Sequence, residues 1–414
     1  PPRSTLFPYT TLFRSQLVFA GTPAQLIYVN AFSVKDGDTA YSGIKVFCTR
    51  SLSTGETRVF FNHTVEPSVA NGDTAIGLPG IINDTIIAYI NRATATLDIT
   101  MYDVTDYTII PAINAAFERG VVVRYITDID MENLPLEDLN PSIPVWGGNA
   151  DGIMHDKFIV IDRESVNNCW VMTGSTNHTT ANLFLDYNNL ILVQDQSLAR
   201  AFTLEFNEMW GSENTIPNPT FSRFGSLKTD NTPHQFIIDN HAVELYFSPS
   251  DGAANAIRQA INTSDHSLEF GVLVFTDDNL GNAVKQAFNR GVDVKGIIDY
   301  VEYSGSEFQG LTALNMNVLD YQNADGSQWP DGATFHHKYA IIDHINPASD
   351  PILVTGSHNW SAAADSKNDE NTLVFHNGNV AKLYHQEFIK RYNELLTPLR
   401  SEEHTSELQS PNTI

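Results

Sequence analysis

One eight-residue pattern occurs twice in the chain and constrains its fold more than any other feature. The first copy runs from His155 to Asp162 (HDKFIVID), and the second from His336 to Asp343 (HHKYAIID). Four apolar residues in a row in the first copy predict a buried strand. Because side chains alternate along a strand, the histidine and the lysine of each copy project on one side and the aspartate on the other.

The two copies belong to a longer internal duplication. Each is followed by a second apolar run that ends in a small polar turn, with Gly174, Ser175 and Asn177 in the first half and Gly356, Ser357 and Asn359 in the second. The offset between the halves is 181 in the first pattern and 182 after it, and AFERGV at 116–121 matches AFNRGV at 287–292 with an offset of 171. Matches held in register over both halves indicate a duplicated domain.

This paired H-x-K-x4-D and G-S-x-N arrangement resembles the phospholipase D superfamily over roughly residues 57–396. The resemblance implies two duplicated α/β domains, each a mainly parallel mixed sheet flanked by helices, with the active site at the interface between them. Alternating strand and helix patterns over residues 57–126 agree with an α/β layer. We divide the chain into a short β-rich lead-in (16–56), a first domain (57–212), a linker (213–240) and a second domain (241–399).

The two ends of the chain differ from the rest. Residues 1–15 and 400–414 look like translated sequencing adapters, and we exclude them from fold reasoning. We therefore expect the natural N-terminus to be missing, so that the lack of a signal peptide does not indicate a cytosolic protein. A secreted or cell-envelope location is our expectation.

Charge and cysteine content narrow the class of function. The chain has 24 basic and 49 acidic residues, a net charge of −25. Such a field repels polyanions over a Debye length of ~8 Å, which disfavours a non-specific nucleic-acid surface. Cys48 and Cys169 form neither a metal site nor a disulfide framework, and either one disulfide or two free thiols fits the sequence. No run reaches the roughly 18 apolar residues of a membrane-spanning helix, so any contact with a bilayer is expected to be peripheral.

The resemblance also implies the chemistry. One motif histidine attacks phosphorus and forms a phosphohistidine, while the other protonates the leaving alcohol and then activates water. The implied phosphate-holding side chains are Lys157, Lys338, Asn177 and Asn359, joined by Ser175 and Ser357. The two serines have an alternative role as caps of the next helical turn. The superfamily is usually independent of metal ions, and we expect no cofactor.

Three carboxylates complete the candidate catalytic set: Asp162, Asp343 and Glu370. Strand alternation places the two aspartates on the face away from the histidines, which favours a role in accepting hydrogen bonds from the backbone or loops.

Glu370 and Asn188 stand at equivalent places, each 14 residues after the motif glycine. In the superfamily a carboxylate near this position orients the histidine ring. We predict that Glu370 lies beside His336, raises its pKa and makes it the acid, and that Asn188 beside His155 leaves that ring neutral as the nucleophile.

Three functions remain open at this point. The first is hydrolysis of phospholipids at the head-group side, which the acidic composition favours because zwitterionic head groups are not repelled as nucleic acid is. The second is an endonuclease of the same superfamily that cleaves DNA or RNA, and the third is a non-catalytic phosphate- or lipid-binding module. Since both motifs lie in one chain, we expect a monomer.

Overall fold

The computed structural model describes residues 21–36, 38–321 and 332–396, so the two predicted adapter segments lie outside the described residues. In the lead-in, four short strands form two separate pairs. The first pair is β1 (Leu26–Val29) with β4 (Lys45–Cys48), and the second is β2 (Phe32–Lys35) with β3 (Asp38–Tyr41). Cys48 and Cys169 are both free thiols, so the disulfide alternative is wrong.

The first domain is built on an eight-stranded sheet in the order β6-β5-β12-β11-β10-β7-β8-β9. Its elements are β5 (Thr57–Phe61), β6 (Ile76–Gly77), α1 (Ile82–Ile90), β7 (Thr96–Met101), α2 (Ile110–Glu118), β8 (Val122–Thr127), β9 (Val145–Gly147), β10 (Lys157–Ile161), β11 (Trp170–Gly174), α3 (Thr180–Phe184), β12 (Asn189–Val193) and α4 (Gln196–Trp210), with 3-10 turns at Pro67–Val69 and Leu134–Asp138.

The second domain repeats this plan in the order β13-β14-β20-β19-β18-β15-β16-β17. Its elements are β13 (Gln235–Ile238), β14 (His241–Ser248), α5 (Ala253–Asn262), β15 (Ser267–Val272), α6 (Asp278–Asn289), β16 (Asp293–Ile298), α7 (Phe308–Thr312), β17 (Asn317–Asp320), β18 (Lys338–Ile342), β19 (Ile352–Gly356), α8 (Ala362–Ser366), β20 (Glu370–Phe375) and α9 (Gly378–Leu396), with 3-10 turns at Gly225–Leu227 and Pro347–Ser349.

The predicted fold class, two duplicated α/β domains with mixed sheets, is confirmed. The expected predominance of parallel pairing is not found: four of seven pairings in the first sheet and five of seven in the second are antiparallel. The physical reason lies in the connections. Strands on either side of a helical crossover, such as β7 and β8, pair in parallel, whereas short links join β10 to β11 and β18 to β19 and favour antiparallel pairing there.

Matching sequence produces matching local structure in the two halves. Helices α2 and α6 both end at a glycine with positive φ, Gly120 at +90° and Gly291 at +93°. Glycine adopts this left-handed conformation without a steric penalty, so the shared RG pair stops both helices at equivalent places. The strands that carry the motifs, β10 and β18, are buried along their whole length.

The segment predicted as a linker contributes to the second sheet. Strand β13 lies within residues 213–240 and pairs with β14 through a two-residue turn at Asp239 and Asn240, whose φ values are 46° and 63°. Both are residue types that tolerate positive φ, and such turns match the twist of a hairpin. The many polar and proline residues upstream concealed this strand from pattern reading.

One continuous apolar core joins the two halves. It includes Phe158 on β10 and Phe247 on β14, whose ring centroids are 6.3 Å apart, and Phe61 on β5 and Tyr384 on α9, at 5.2 Å. This shared core fixes one motif strand against the other. Among the described residues, no helix combines the length and apolar character needed to cross a bilayer.

Candidate active site

The two motif histidines lie just ahead of buried strands, and both are nearly inaccessible. His155 is 5% exposed and His336 8%. The ammonium of Lys157 donates to the His155 carbonyl oxygen at 2.7 Å, and the ammonium of Lys338 donates to the His336 carbonyl at 2.6 Å. Each half therefore holds its lysine at a fixed place beside its own histidine, as the H-x-K spacing predicts.

Each histidine is oriented by the opposite half of the chain. His155 Nδ1 lies 2.7 Å from Glu370 Oε2, and His336 Nδ1 lies 2.9 Å from Asn188 Oδ1. The predicted pairing of Glu370 with His336, and of Asn188 with His155, is therefore wrong.

The crossing follows from the backbone. The amide of His155 donates to the carbonyl of Asp369 at 2.9 Å, and the amide of His336 donates to the carbonyl of Tyr187 at 3.0 Å. Each histidine segment thus runs beside the residue that precedes Asn188 or Glu370 in the other half. The next residue, Asn188 or Glu370, is placed against the ring. Counting residues within one repeat carries no information on a contact made between repeats.

The hydrogen bonds of Asn188 fix the tautomer of His336. Its Nδ2 donates to the carbonyl of Asn182 at 3.1 Å, so its Oδ1 faces the ring as an acceptor. His336 accordingly carries its hydrogen on Nδ1 and keeps the lone pair of Nε2. When it is ionised, the Glu370 carboxylate has the same effect on His155, because it then only accepts hydrogen bonds. Nε2 is therefore the reactive nitrogen in both rings.

Burial and positive charge set the protonation of the site. Burial, together with the charges of Lys157 and Lys338, lowers the pKa of His155 well below its ordinary value, and the same factors lower the pKa of His336. Burial lowers the pKa of Lys157 to about 8 and raises that of Glu370 to about 7. Burial also lowers the pKa of Lys338 well below its ordinary value. The free site holds two neutral imidazoles next to two buried lysines, and a bound phosphodiester anion favours the charged form of both lysines.

The motif aspartates have no contact with this chemistry. Asp162 accepts hydrogen bonds from the backbone amides of Thr94, Ala95 and Thr96, and Asp343 accepts from those of Asp265, His266 and Ser267. These contacts tie the end of each motif strand to the start of the neighbouring strand. Their candidate catalytic role is therefore corrected to the structural one that strand alternation favoured.

The G-S-x-N residues support the strands that follow them. Ser175 Oγ donates to Asn188 Oδ1 at 2.8 Å, and Ser357 Oγ accepts from the amide of Asn371 at 3.0 Å. Neither serine caps a helix, since Thr179 and Ser361 cap α3 and α8. Contact of the serines with phosphate stays a prediction.

The same holds for phosphate binding by the two motif asparagines. Among the described residues, Asn177 and Asn359 each have a buried Oδ1 without a hydrogen-bond partner.

Sequence reasoning missed two residues at the site. Tyr102 packs edge-on against His155, with ring centroids 4.9 Å apart, and Lys157 Nζ lies 5.3 Å from the centre of the Tyr102 ring. Tyr102 directly follows β7, at the carboxyl end of a strand in a parallel pair, and this position could have indicated a site residue. His358, inside the second G-S-x-N turn, is buried, and neither ring nitrogen has a partner among the described residues.

A buried ionic group behind His155 also escaped prediction. Lys228, from the predicted linker, has a fully buried side chain and contacts both Glu205 and Asp369. Asp156, the middle residue of H-D-K, lies in the same group, and burial raises its pKa to about 8. In the second half the equivalent residue, His337, lies 3.3 Å from Glu387.

Comparisons with known proteins agree with this architecture. The family described as "Cardiolipin synthase, PLD-like domain" matches residues 86–210 and 257–392. The mitochondrial cardiolipin hydrolase of Mus musculus is 30% identical over 147 residues, which cover 35% of this chain and 60% of that protein. A phospholipase D of Rickettsia prowazekii is 27% identical over 187 residues, covering 44% of this chain and 86% of that protein.

A solved structure extends the likeness to both halves. Phosphatidylserine synthase of Haemophilus influenzae superimposes with a TM-score of 0.53 and 13% identity, over 82% of this chain and 86% of that one. At this identity the likeness concerns the fold alone.

Proposed function

The chain belongs to the family of cardiolipin synthase, PLD-like domains, and on this basis we propose that it is a phosphodiesterase that hydrolyses phospholipids at the head-group side. The observation that supports the proposal most strongly is the crossed arrangement of His155 and His336, each buried, each beside a lysine and each oriented from the opposite half. A phosphodiester needs a nucleophile, a proton for the leaving oxygen and positive charge on the non-bridging oxygens. The paired motifs supply all three.

In the proposed mechanism His155 Nε2 attacks phosphorus, and the bond from phosphorus to the head-group oxygen breaks. His336, protonated on both nitrogens once the anionic substrate is bound, gives its Nε2 proton to that oxygen. Water then attacks the phosphohistidine while His336 takes up its proton, and the phosphorus–nitrogen bond breaks. Lys157 and Lys338 hold the non-bridging oxygens throughout.

The crossed contacts retain His155 as the nucleophile but change the reason. A phosphorylated imidazole with a hydrogen on Nδ1 carries a positive charge, which the carboxylate of Glu370 stabilises at 2.7 Å. Asn188 is neutral and gives His336 no such ion pair. A ring with a lowered pKa releases its proton readily, as a general acid must.

The choice of phospholipid rests on charge and on relatives. The net charge of −25 opposes approach of DNA or RNA, whereas zwitterionic lipid surfaces are not repelled. The relatives are named for cardiolipin hydrolysis and phospholipase D activity. We further propose that a monomer acts at a bilayer surface by peripheral contact, because one chain contributes both histidines and both residues that orient them.

Two substrates offered side by side in EDTA test the proposal. Phosphatidylcholine–phosphatidylglycerol vesicles and supercoiled plasmid are each incubated with wild type and with the matched variant His155→Ala. We expect release of choline or glycerol by wild type and none by the variant, with the plasmid intact. Plasmid cleavage alone would reassign the chain to the nucleases. A folded protein that acts on neither substrate would support the binding-module alternative.

A further inference from the structure

A second group of potential ligands lies at the far end of the second motif strand. It consists of Glu269 on β15, His344 just after β18, and His385 on α9, and the coordinating atoms of the three side chains lie within 4.8 Å of one another. Strand β18, about 15 Å long, separates this group from Lys338. The group is therefore distinct from the catalytic histidines.

The corresponding place in the first half is closed by permanent ion pairs. By the repeat offsets Glu269 matches Asp98, His344 matches Arg163 and His385 matches Thr203. Asp98 is bound by two guanidinium groups, Arg124 at 2.6 Å and Arg163 at 2.9 Å. Arginine keeps its charge at any ordinary pH and cannot ligate a metal ion, so the first half holds a salt bridge there.

The second half replaces these cations with imidazoles. Lys295, the match of Arg124, turns instead to Asp293 at 2.7 Å and leaves the Glu269 carboxylate to the two histidines. His385 Nδ1 lies 2.7 Å from Glu269 Oε2, and His344 Nδ1 lies 3.9 Å from the same oxygen. Both Nδ1 atoms therefore face one carboxylate oxygen.

His344 lacks a partner that a buried imidazole requires. Its side chain is 7% exposed, and its Nδ1 has no hydrogen-bond partner among the described residues. A buried polar atom left unsatisfied destabilises a fold, so such an atom needs an explanation.

We propose that Glu269, His344 and His385 form a binding site for a divalent transition metal of the zinc class. Two imidazoles and one carboxylate are a ligand set that zinc accepts, with water in the fourth position. A cavity of about 330 Å³ borders His344 and Lys382.

Small movements adapt the present geometry to a metal ion. Ligand atoms about 2.0–2.2 Å from zinc lie roughly 3.4 Å apart in a tetrahedron, a value between the 2.7 Å and 3.9 Å separations seen here. The rings of His344 and His385 are stacked, with centroids 4.0 Å apart. Zinc binding at His385 Nδ1 would require the hydrogen that this atom now donates to Glu269 to move to Nε2, which frees the Nδ1 lone pair for the ion.

Such a site would tie α9 to the sheet. Helix α9 also carries Tyr384 and Glu387, which contact Asn189 and His337 behind the catalytic histidines. The metal would therefore have a structural role in holding this helix, and the catalytic steps would proceed without it.

Calorimetric titration with Zn²⁺ alone, on protein first treated with EDTA and then dialysed, tests the site. We expect one Zn²⁺ per chain in wild type, and at least tenfold weaker binding in His385→Gln, which keeps a hydrogen-bond donor to Glu269. Two control variants should bind as wild type does: His155→Ala, which removes a catalytic imidazole, and His234→Ala, which removes the histidine of the Asp230–His234–Asp251 group.

Two further readouts separate coordination from folding. Co²⁺ should give the visible absorption of a four-coordinate site in wild type and not in His385→Gln, and Zn²⁺ should raise the melting temperature of wild type only. Circular dichroism in EDTA should be the same for both proteins. Failure of wild type to bind Zn²⁺, or equal binding by His385→Gln, would overturn the proposal and leave an ordinary Glu269–His385 ion pair.

Discussion

The two halves of the molecule share a fold and a motif but differ at the residue each presents to the other. The first half presents Asn188 to His336, and the second presents Glu370 to His155. An amide and a carboxylate fix the same tautomer, yet only the carboxylate can stabilise a charged ring. The duplication thus gives two equivalent imidazoles, and in the proposed mechanism one side-chain difference at matched positions separates their roles.

The buried charged residues behind the two histidines also differ between the halves. Behind His155, the buried ammonium of Lys228 contacts both Glu205 and Asp369, while behind His336 the contact is between His337 and Glu387. Buried charges of this kind are stable only when paired, so each half has evolved its own compensation.

Removing each histidine in turn should reveal the largest difference between the two halves. His155→Ala should lower kcat/KM by about 10⁴-fold or more on any diester, because the nucleophile is lost. His336→Ala should lower it by about 10²–10⁴-fold on a lipid, whose alcohol needs a proton.

A p-nitrophenyl diester distinguishes the two roles. Nitrophenolate leaves without a proton, so His336→Ala should release a first-turnover burst of it in a stopped-flow measurement, and His155→Ala should not. The reverse pattern would exchange the two roles.

Exchanging the orienting side chains should have a smaller effect. We expect Glu370→Gln to lower kcat by about 10–100-fold, since the charged partner of the phosphorylated ring is replaced by a neutral one. Asn188→Asp adds a carboxylate at His336, raises the pKa of that ring and should move the loss of activity to higher pH, with kcat changed by less than about tenfold. Measuring kcat across pH on both variants tests whether Glu370→Gln has the larger effect. A larger loss in Asn188→Asp would contradict it.

The lowered pKa of the buried Lys157 predicts an upper pH limit for activity. Burial lowers the pKa of Lys157 to about 8, so this side chain is charged below that pH and neutral above it. Activity should therefore fall above pH 8, by up to about tenfold per pH unit, although a solvent-exposed lysine would stay charged to beyond pH 10. Rates on vesicles between pH 6 and 10 provide the measurement, with circular dichroism at each pH as the control for unfolding. A flat profile to pH 10 would show that the lysine charge is not required.

We expect the two motif aspartates to have the same structural role in both halves. Asp162→Ala and Asp343→Ala each leave three buried or half-buried backbone amides without an acceptor, and each should lower the free energy of unfolding by about 2–4 kcal/mol. Activity per folded molecule should stay within about twofold. Chemical denaturation together with active-site titration gives both quantities. An inactive but fully stable variant would restore a catalytic role for these residues.

Much of the fold followed from periodicity and repetition. The sequence predicts a strand at Asn189–Val193 and a helix from about Ile82 to Arg92. The observed β12 (Asn189–Val193) and α1 (Ile82–Ile90) agree within two residues, because apolar runs and their spacing indicate burial directly. Strand β13 was missed because its hairpin turn consists of Asp239 and Asn240 within a polar segment. Parallel pairing was overestimated because sequence patterns identify strands but not their neighbours.

For the site, the sequence predicted some contacts and missed others. Contacts within one motif, such as Lys157 beside His155, follow from strand alternation. Contacts between halves, such as Glu370 with His155, depend on how two domains pack, and the residue number within a repeat does not encode that packing. Lys228 was missed for the same reason, since a lysine in a loop gives no sign that it will be buried between carboxylates.

Locating the phosphohistidine tests most directly whether His155 is the nucleophile. His336→Ala, mixed with a p-nitrophenyl diester of labelled phosphate and quenched in alkali, should accumulate the covalent intermediate because water is no longer activated. Peptide mapping by mass spectrometry should then place the label on His155, with Glu370→Gln reducing its yield and Asn188→Asp leaving it unchanged. A label on any other residue, or no covalent label after a measured burst, would contradict the assignment of His155 as the nucleophile oriented from the opposite half.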